Sequence, residues 1–460
     1  MLFFVSKIKM LNLFSIICYV ISAIILMRTH NPNYGLLFLE PFIFGLLYSI
    51  NSIFQLQKFH SISLGIIFVT SFFRYVCLPL IMCLAGYPNI TISYCSLYIS
   101  QAVLLQIYEE CCVLLVVHFL CIKYFASGNS SCSSFYSEII FEDGNKIILW
   151  IFVLLGVAVA LAFPSLLSRY HFVISLVGNE KADQVEYAGL GVLITISRHL
   201  LMLLILAFFY NQYLKNYSMK WILFSLSVIC CNALVINDLS RFGLLIPLAS
   251  WLYLLYQIYP NIRKRLLSVS FTILIVLLSF VTYIKAFSKY RGDSANIVKI
   301  DYWCNSFQTY FQGINDICIG LYASQNINIL SFKRFINDAI SNVAFLSHFS
   351  DPNQLSLKKY NIVYNGWWVQ DKILPNICAG YYYFGFLGAP IISCIFVCLA
   401  MKFDVLSQRY NNVYYKFIFI FAAINCSFSN MIYYPMMISP LINSILIMYL
   451  ILRINDRIKW

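Results

Sequence analysis

The chain has 460 residues, of which 61% are hydrophobic and only 11% charged, with a mean hydropathy of +0.79. Ordinary water-soluble domains carry roughly 25% charged residues, so a soluble fold is excluded. The formal net charge of +13 comes from basic residues spread singly between apolar runs, which excludes the clustered cationic face of a nucleic-acid binder and fits a membrane orientation signal.

Taken in chain order, apolar windows long enough to cross a bilayer predict an all-α polytopic bundle. Twelve transmembrane helices are expected, over 10–27, 36–54, 62–84, 101–122, 147–166, 189–211, 219–236, 242–259, 266–284, 376–401, 414–433 and 437–452. The first is preceded by Lys7 and Lys9 and followed by no small-residue cleavage pattern, so it reads as a retained helix. Helices one to nine thus occupy 1–284, a polar segment of 91 residues occupies 285–375, and three helices with a cytoplasmic tail fill 376–460. The polar segment is too long for a simple connector.

Short cytoplasmic loops collect Lys and Arg. With the N-terminus inside, the inner segments hold sixteen basic residues and the short outer ones four, namely Arg28, Arg169, Lys181 and Arg241. Both ends are therefore expected in the cytoplasm and the long segment outside. The sixteen cysteines lie mostly in apolar runs, as in the doublets Cys111/Cys112 and Cys230/Cys231; there they act as small hydrophobes. Only Cys95, Cys132, Cys304 and Cys318 fall outside the expected spans. No CxxC pair or Cys/His cluster suggests a metal, and no cofactor is expected.

An ionisable residue within a span costs a few kcal/mol and so faces the bundle interior or a wet cavity. Arg74 lies about ten residues, and Glu109 and Glu110 eight to nine residues, below the outer ends of their spans. At roughly 1.5 Å per residue the depths coincide, predicting an interhelical ion pair that either fixes packing or contacts a substrate lipid. Arg198 and His199, flanked by Leu200, Leu201 and Leu203, are expected to line a cavity. Arg241 follows Asn237, Asp238, Leu239 and Ser240, as either a snorkelling interfacial arginine or a site residue. Glu40, before Pro41, reads as structural.

The segment 285–375 carries nine basic residues, among them Arg291 and Arg334, against six aspartates including Asp293, and it also holds His348, Trp303, Trp367 and Trp368. Flat amphipathic rings suit carbohydrate faces and equally suit a membrane interface. Guanidinium groups bind a diphosphate bidentately and hold its charge as it leaves, while an Asp or His deprotonates an attacking hydroxyl.

This arrangement resembles the Wzy-type polymerases of bacterial O-antigen and capsule synthesis and the related O-antigen ligases. The architectural likeness covers nearly the whole chain, with one large outer loop late in the sequence and few helices after it. Ser240, Arg241, Phe242 and Gly243 look like the Ser-Arg-x-Gly stretch that opens an outer-facing helix in such proteins. Gly380, Tyr381, Tyr382, Tyr383, Phe384, Gly385 and Gly388 look like the Gly-x-x-Tyr-Phe-Gly-x-x-Gly start of the helix after the loop.

The resemblance implies a metal-independent glycosyltransferase at the outer face of the bacterial cytoplasmic membrane, with polyprenyl-diphosphate-linked glycans as donor and acceptor and a chain-length regulator as a further partner. Arg241 inherits its role from the motif. Arg198 and Arg291 with the diphosphate, and Asp293 or His348 with the acceptor hydroxyl, follow from chemistry, as do substrate contacts through Arg74, His199, Arg334, Trp367 and Trp368. The rivals are a ligase, with the same chemistry and another acceptor, and a flippase or secondary transporter. Transporters show internal repeats and broken helices, and neither is read here, with glycine scarce at 18 residues.

Overall fold

The computed structural model describes residues 2–50, 61–87, 93–126, 146–172, 188–237, 241–263, 265–270, 272–274, 276–277, 300–327, 329–366 and 372–458, and these are overwhelmingly helical. The first helices are α1 (Leu2–Arg28), α2 (Leu39–Ser49), α3 (Ile62–Leu84) and α4 (Ile99–Cys121). After α5 (Ile147–Ala162) comes strand β1 (Tyr170–Phe172), then α6 (Ala188–Asn216), α7 (Met219–Leu234), strand β2 (Val235–Asn237) and α8 (Arg241–Ile258). The polar segment contributes α9 (Ile300–Tyr310), α10 (Ile314–Ala323), α11 (Phe332–Ser341) and α12 (Ser356–Asn365). The chain closes with α13 (Asn376–Gly388), α14 (Ile391–Arg409), α15 (Val413–Ser427) and α16 (Tyr434–Arg457).

Five helices among the described residues are long and apolar enough to cross a bilayer: α3, Cys95–Tyr124 around α4, Gly189–Asn216 in α6, α14 and α16. Shorter apolar helices of 10–17 residues include Leu13–Arg28, α5, α7 and α15. This is the composition of a helical membrane protein; the described helices do not give the expected twelve full-length spans. Residues 51–60 and 278–299, which take in the ends of two expected spans, lie outside the described residues. Two of the full-length spans are irregular without losing their length. Proline interrupts α16, where Pro440 is followed by a π-helical turn over Leu441–Leu446. In α3 a π turn over Phe73–Cys77 directly precedes Pro79, which lacks an N–H and would clash with the carbonyl four residues back, so widening the helix there relieves the conflict.

A glycine break corrects the expectation of one helix over 376–401. Gly385 has φ +71° and ψ −171° inside α13, a conformation costly for a residue with a Cβ, and the helical path breaks there. The chain then folds back so tightly that a Cβ on Gly380 would lie 2.0 Å from the Ala389 carbonyl oxygen. The glycine-tyrosine stretch is therefore a bend, and helix-breaking glycine, not read from the sequence, is present.

The chain divides into two compact units: Met1–Asn129, Ala295–Lys402 and Cys426–Ile438 form the first, and Ser130–Ser294, Phe403–Asn425 and Ser439–Trp460 the second. In the first, α1 and α2 pack as a hairpin whose Phe14 and Phe44 meet Phe68 and Phe72 of α3. Helix α10 is buried over nearly its whole length, against α4, α12 and α13. The polar segment is thus not a free cap, because part of it is built into the helical core. In the second unit, α5 and α6 approach closely at Gly156, where a Cβ would lie 2.1 Å from Ser197 Oγ, the small-residue contact expected where lipid gives no hydrophobic drive between helices. Strands β1 and β2 pair antiparallel, Tyr170 opposite Asn237.

Candidate functional site

In the first unit a polar centre is sealed inside the bundle. Arg74, on the π turn of α3, places Nη2 2.8 Å from Glu109 Oε2 of α4, both side chains fully buried. Ser393 of α14 donates from Oγ to Glu109 Oε1 at 2.5 Å. One turn up α4, Gln106 Nε2 donates to Glu40 Oε2 of α2 at 3.1 Å. Glu110 is fully buried as well, and neither of its carboxyl oxygens has a hydrogen-bond partner among the described residues. Four elements therefore converge on one guanidinium and three carboxyl groups. A π turn widens the helix and turns its side chains out of register, a feature frequent at functional sites, and here it carries Arg74. The ion pair expected from matching depths is present, through Glu109.

A second polar cluster joins the polar segment to the bend. Asp338 of α11 accepts at Oδ1 from the Ser356 backbone N–H at 3.1 Å and at Oδ2 from the Tyr383 hydroxyl, which also lies 3.2 Å from the Tyr433 hydroxyl. Burial raises the Asp338 carboxyl, opposed by the hydrogen bonds from Ser356 and Tyr383. On α10, burial pushes the Asp316 carboxyl up to about 6 against the opposing pull of Lys372 and the Tyr360 hydroxyl. Asn376 donates to the carbonyls of Ser429 and Ile432 at 2.7 Å and accepts from Tyr434 N–H at 2.8 Å, tying the start of α13 to the turn before α16. Arg334 is half-buried, with Nη1 donating to the Gln354 carbonyl at 3.0 Å. His348 is exposed on a short turn, Ser347–Phe349, packed beside α11.

In the second unit, Arg198 of α6 donates from Nε to Asn232 Oδ1 and from Nη2 to the carbonyls of Asn232 and, at 2.8 Å, Val235. It thereby caps the C-terminal end of α7, where orphan carbonyls and the helix dipole favour a cation. His199 is buried among rings, 6.0 Å from Trp251 and 5.5 Å from Phe421, with Trp251 stacked on Phe417 at 3.8 Å. Its Nδ1 has no hydrogen-bond partner among the described residues. Arg241 opens α8, four residues after β2 ends at Asn237.

The candidates thus separate into Arg74, Arg334 and His348 in the first unit and Arg198, His199 and Arg241 in the second. Arg291, Asp293, Trp367 and Trp368 lie outside the described residues. Sequence reasoning missed Ser393 and Gln106, counted Asp338 only among the six aspartates of the polar segment, and read Tyr383 only as part of the glycine-tyrosine patch. The one available signal was their polarity within or beside apolar windows, which carries no information about partners. Among the described residues no group of three or more His, Cys, Asp or Glu is placed to hold a metal ion. The chain matches no family model, no curated protein and no solved structure.

Proposed function

We propose that the protein is a membrane glycosyltransferase that joins polyprenyl-diphosphate-linked repeat units into a surface polysaccharide at the outer face of the bacterial cytoplasmic membrane. What supports this reading is the folding of helices α9 to α12 onto the membrane helices of the first unit, continuing into the glycine-tyrosine bend of α13. That bend is one of the two patches through which the chain resembles the Wzy-type polymerases. In the reaction, the bond from the donor sugar C1 to the diphosphate oxygen breaks and a bond to the acceptor hydroxyl oxygen forms. The polyprenyl diphosphate leaves with the electron pair, and the hydroxyl proton passes to a carboxylate base, Asp293. Arg241 holds the diphosphate, assisted by Arg291. Arg198, committed to the end of α7 and the first residue of β2, acts as a brace where the chain passes from helix to strand.

In a strain that makes the polymer, Arg241→Ala is expected to leave only single-repeat products on gels that resolve chain length. A wild-type ladder from that variant overturns the role of Arg241. A ligase defect is told apart by its product, long polymer that never leaves the lipid carrier.

One observation favours a second reading, that of a flippase or secondary transporter. Discontinuous helices and buried ionisable groups mark substrate pathways in transporters, and α13 is broken at Gly385 while Arg74, Glu40, Glu109 and Glu110 are sealed in the bundle. Purified protein in vesicles separates the two: elongation of a lipid-linked repeat unit supports the polymerase, and translocation without elongation supports the transporter.

A further inference from the structure

The inward face of α11 is fixed by the core: Phe335 stacks on Tyr434 at 5.5 Å and Asp338 is buried among hydroxyls. Its outward face carries Phe332, 60% exposed, and Ile336 one turn on. The chain before and after α11 adds Leu330, Phe345 and Phe349, the last 78% exposed. Such a concentration of large bare apolar side chains is unlike the scattered exposure of a water-facing loop and marks an interaction surface.

Its neighbours say what covers it. The Leu330 N–H donates to the Tyr382 carbonyl at 2.9 Å, and a Cβ on Gly385 would lie 3.1 Å from Leu330 Cδ2. Just past Gly385, Phe386 stacks on Tyr108 at 5.5 Å and the Tyr108 hydroxyl donates to the Leu387 carbonyl at 2.9 Å. Tyr108 lies near the midpoint of the candidate span Cys95–Tyr124, so Phe386 and the 80% exposed Leu387 sit at hydrocarbon depth. The same surface runs on to Ile391 and Ile395, exposed on the span α14. Through Leu330, the bare stretch around α11 adjoins this exposed apolar surface, which runs from the end of α13 onto the candidate span α14. Beside it, Lys333 is exposed and Arg334 half-buried, the basic flank of an amphipathic helix lying in a bilayer interface.

We infer that α11 and the turn after it are immersed in the membrane, with Phe332, Ile336, Phe345 and Phe349 among the acyl chains, so that this part of the long polar segment is a membrane-embedded element. The inference goes beyond the proposed function and does not depend on which reaction the protein performs.

The test uses the full chain reconstituted in phosphatidylcholine and phosphatidylglycerol vesicles, with a fluorescent aromatic amino acid placed at Phe332, at Phe349 or at the exposed polar Asn353. Phospholipids carrying a doxyl quencher on the acyl chain are expected to remove most of the emission at 332 and 349 while iodide in the water has little effect, with the opposite pattern at 353. Strong iodide quenching at 332 and 349 without doxyl quenching overturns the proposal. So does protection from both quenchers, which shows protein rather than lipid on that face. The reporter nearly conserves the size of Phe, and agreement between the two sites guards against a local packing artefact.

Discussion

At the residue scale, the Arg74–Glu109 pair shows how much of a buried centre is legible from spacing. Counting residues from the expected span ends brought the two to one depth, and the π turn that carries Arg74 is too short to spoil that count. Ser393, which completes the coordination of Glu109, was not legible, since a serine in an apolar span has many possible registers and no charge to constrain them. Removing one partner of a buried pair leaves an uncompensated charge, at a cost of about 3–5 kcal/mol. Glu109→Gln is therefore expected to destabilise by that order in denaturant or thermal unfolding in detergent. The double variant Arg74→Met with Glu109→Gln should recover a large part of the loss, and simple additivity of the two single losses would show that the pair is not coupled. Asp316 gives a pH signature. Its folded carboxyl titrates near 6 against an ordinary 3.8, so between those values the folded state holds a proton that the unfolded state has lost. Stability should fall as pH rises through that window, by about 3 kcal/mol in all, and stay level above it. In Asp316→Asn the slope between pH 4 and 6 should flatten, as read from unfolding midpoints across that range.

At the element scale, the helices were legible where an apolar window is long and unbroken: 62–84 was expected and α3 spans Ile62–Leu84. The bend in α13 was not, because Gly380, Gly385 and Gly388 have the same appearance in sequence whether they serve close packing or a left-handed backbone. Only the fold-back of Ala389 onto Gly380 distinguishes them. Gly380→Leu should accordingly prevent α13 from closing and cost several kcal/mol, while Gly385→Ala should cost about 1 kcal/mol through its positive φ. Gly65, with nothing within 4 Å of its Cβ position, is the control, and Gly65→Ala should leave the melting temperature unchanged or slightly raised.

At the scale of the whole molecule, the membrane character was plain from composition, and the division into two units was not. Both units draw on separated stretches of sequence, and such long-range partnership leaves no trace in local hydropathy. The orientation read from the basic residues gives a direct expectation. Alkaline phosphatase inserted after Asn353 should be active, and green fluorescent protein fused after Trp460 should fluoresce, with the reverse pattern turning the whole bundle over.

The small ribbon of β1 and β2 has a consequence for Arg241. Two strands cannot close into a barrel, so the outer rim of each leaves amide groups that hydrocarbon has no means of satisfying. Water or protein must supply them, which makes the ribbon a depth gauge in the second unit. Four residues beyond it α8 begins at Arg241, so the backbone at that helix start stays within a short reach of a boundary that hydrocarbon cannot supply.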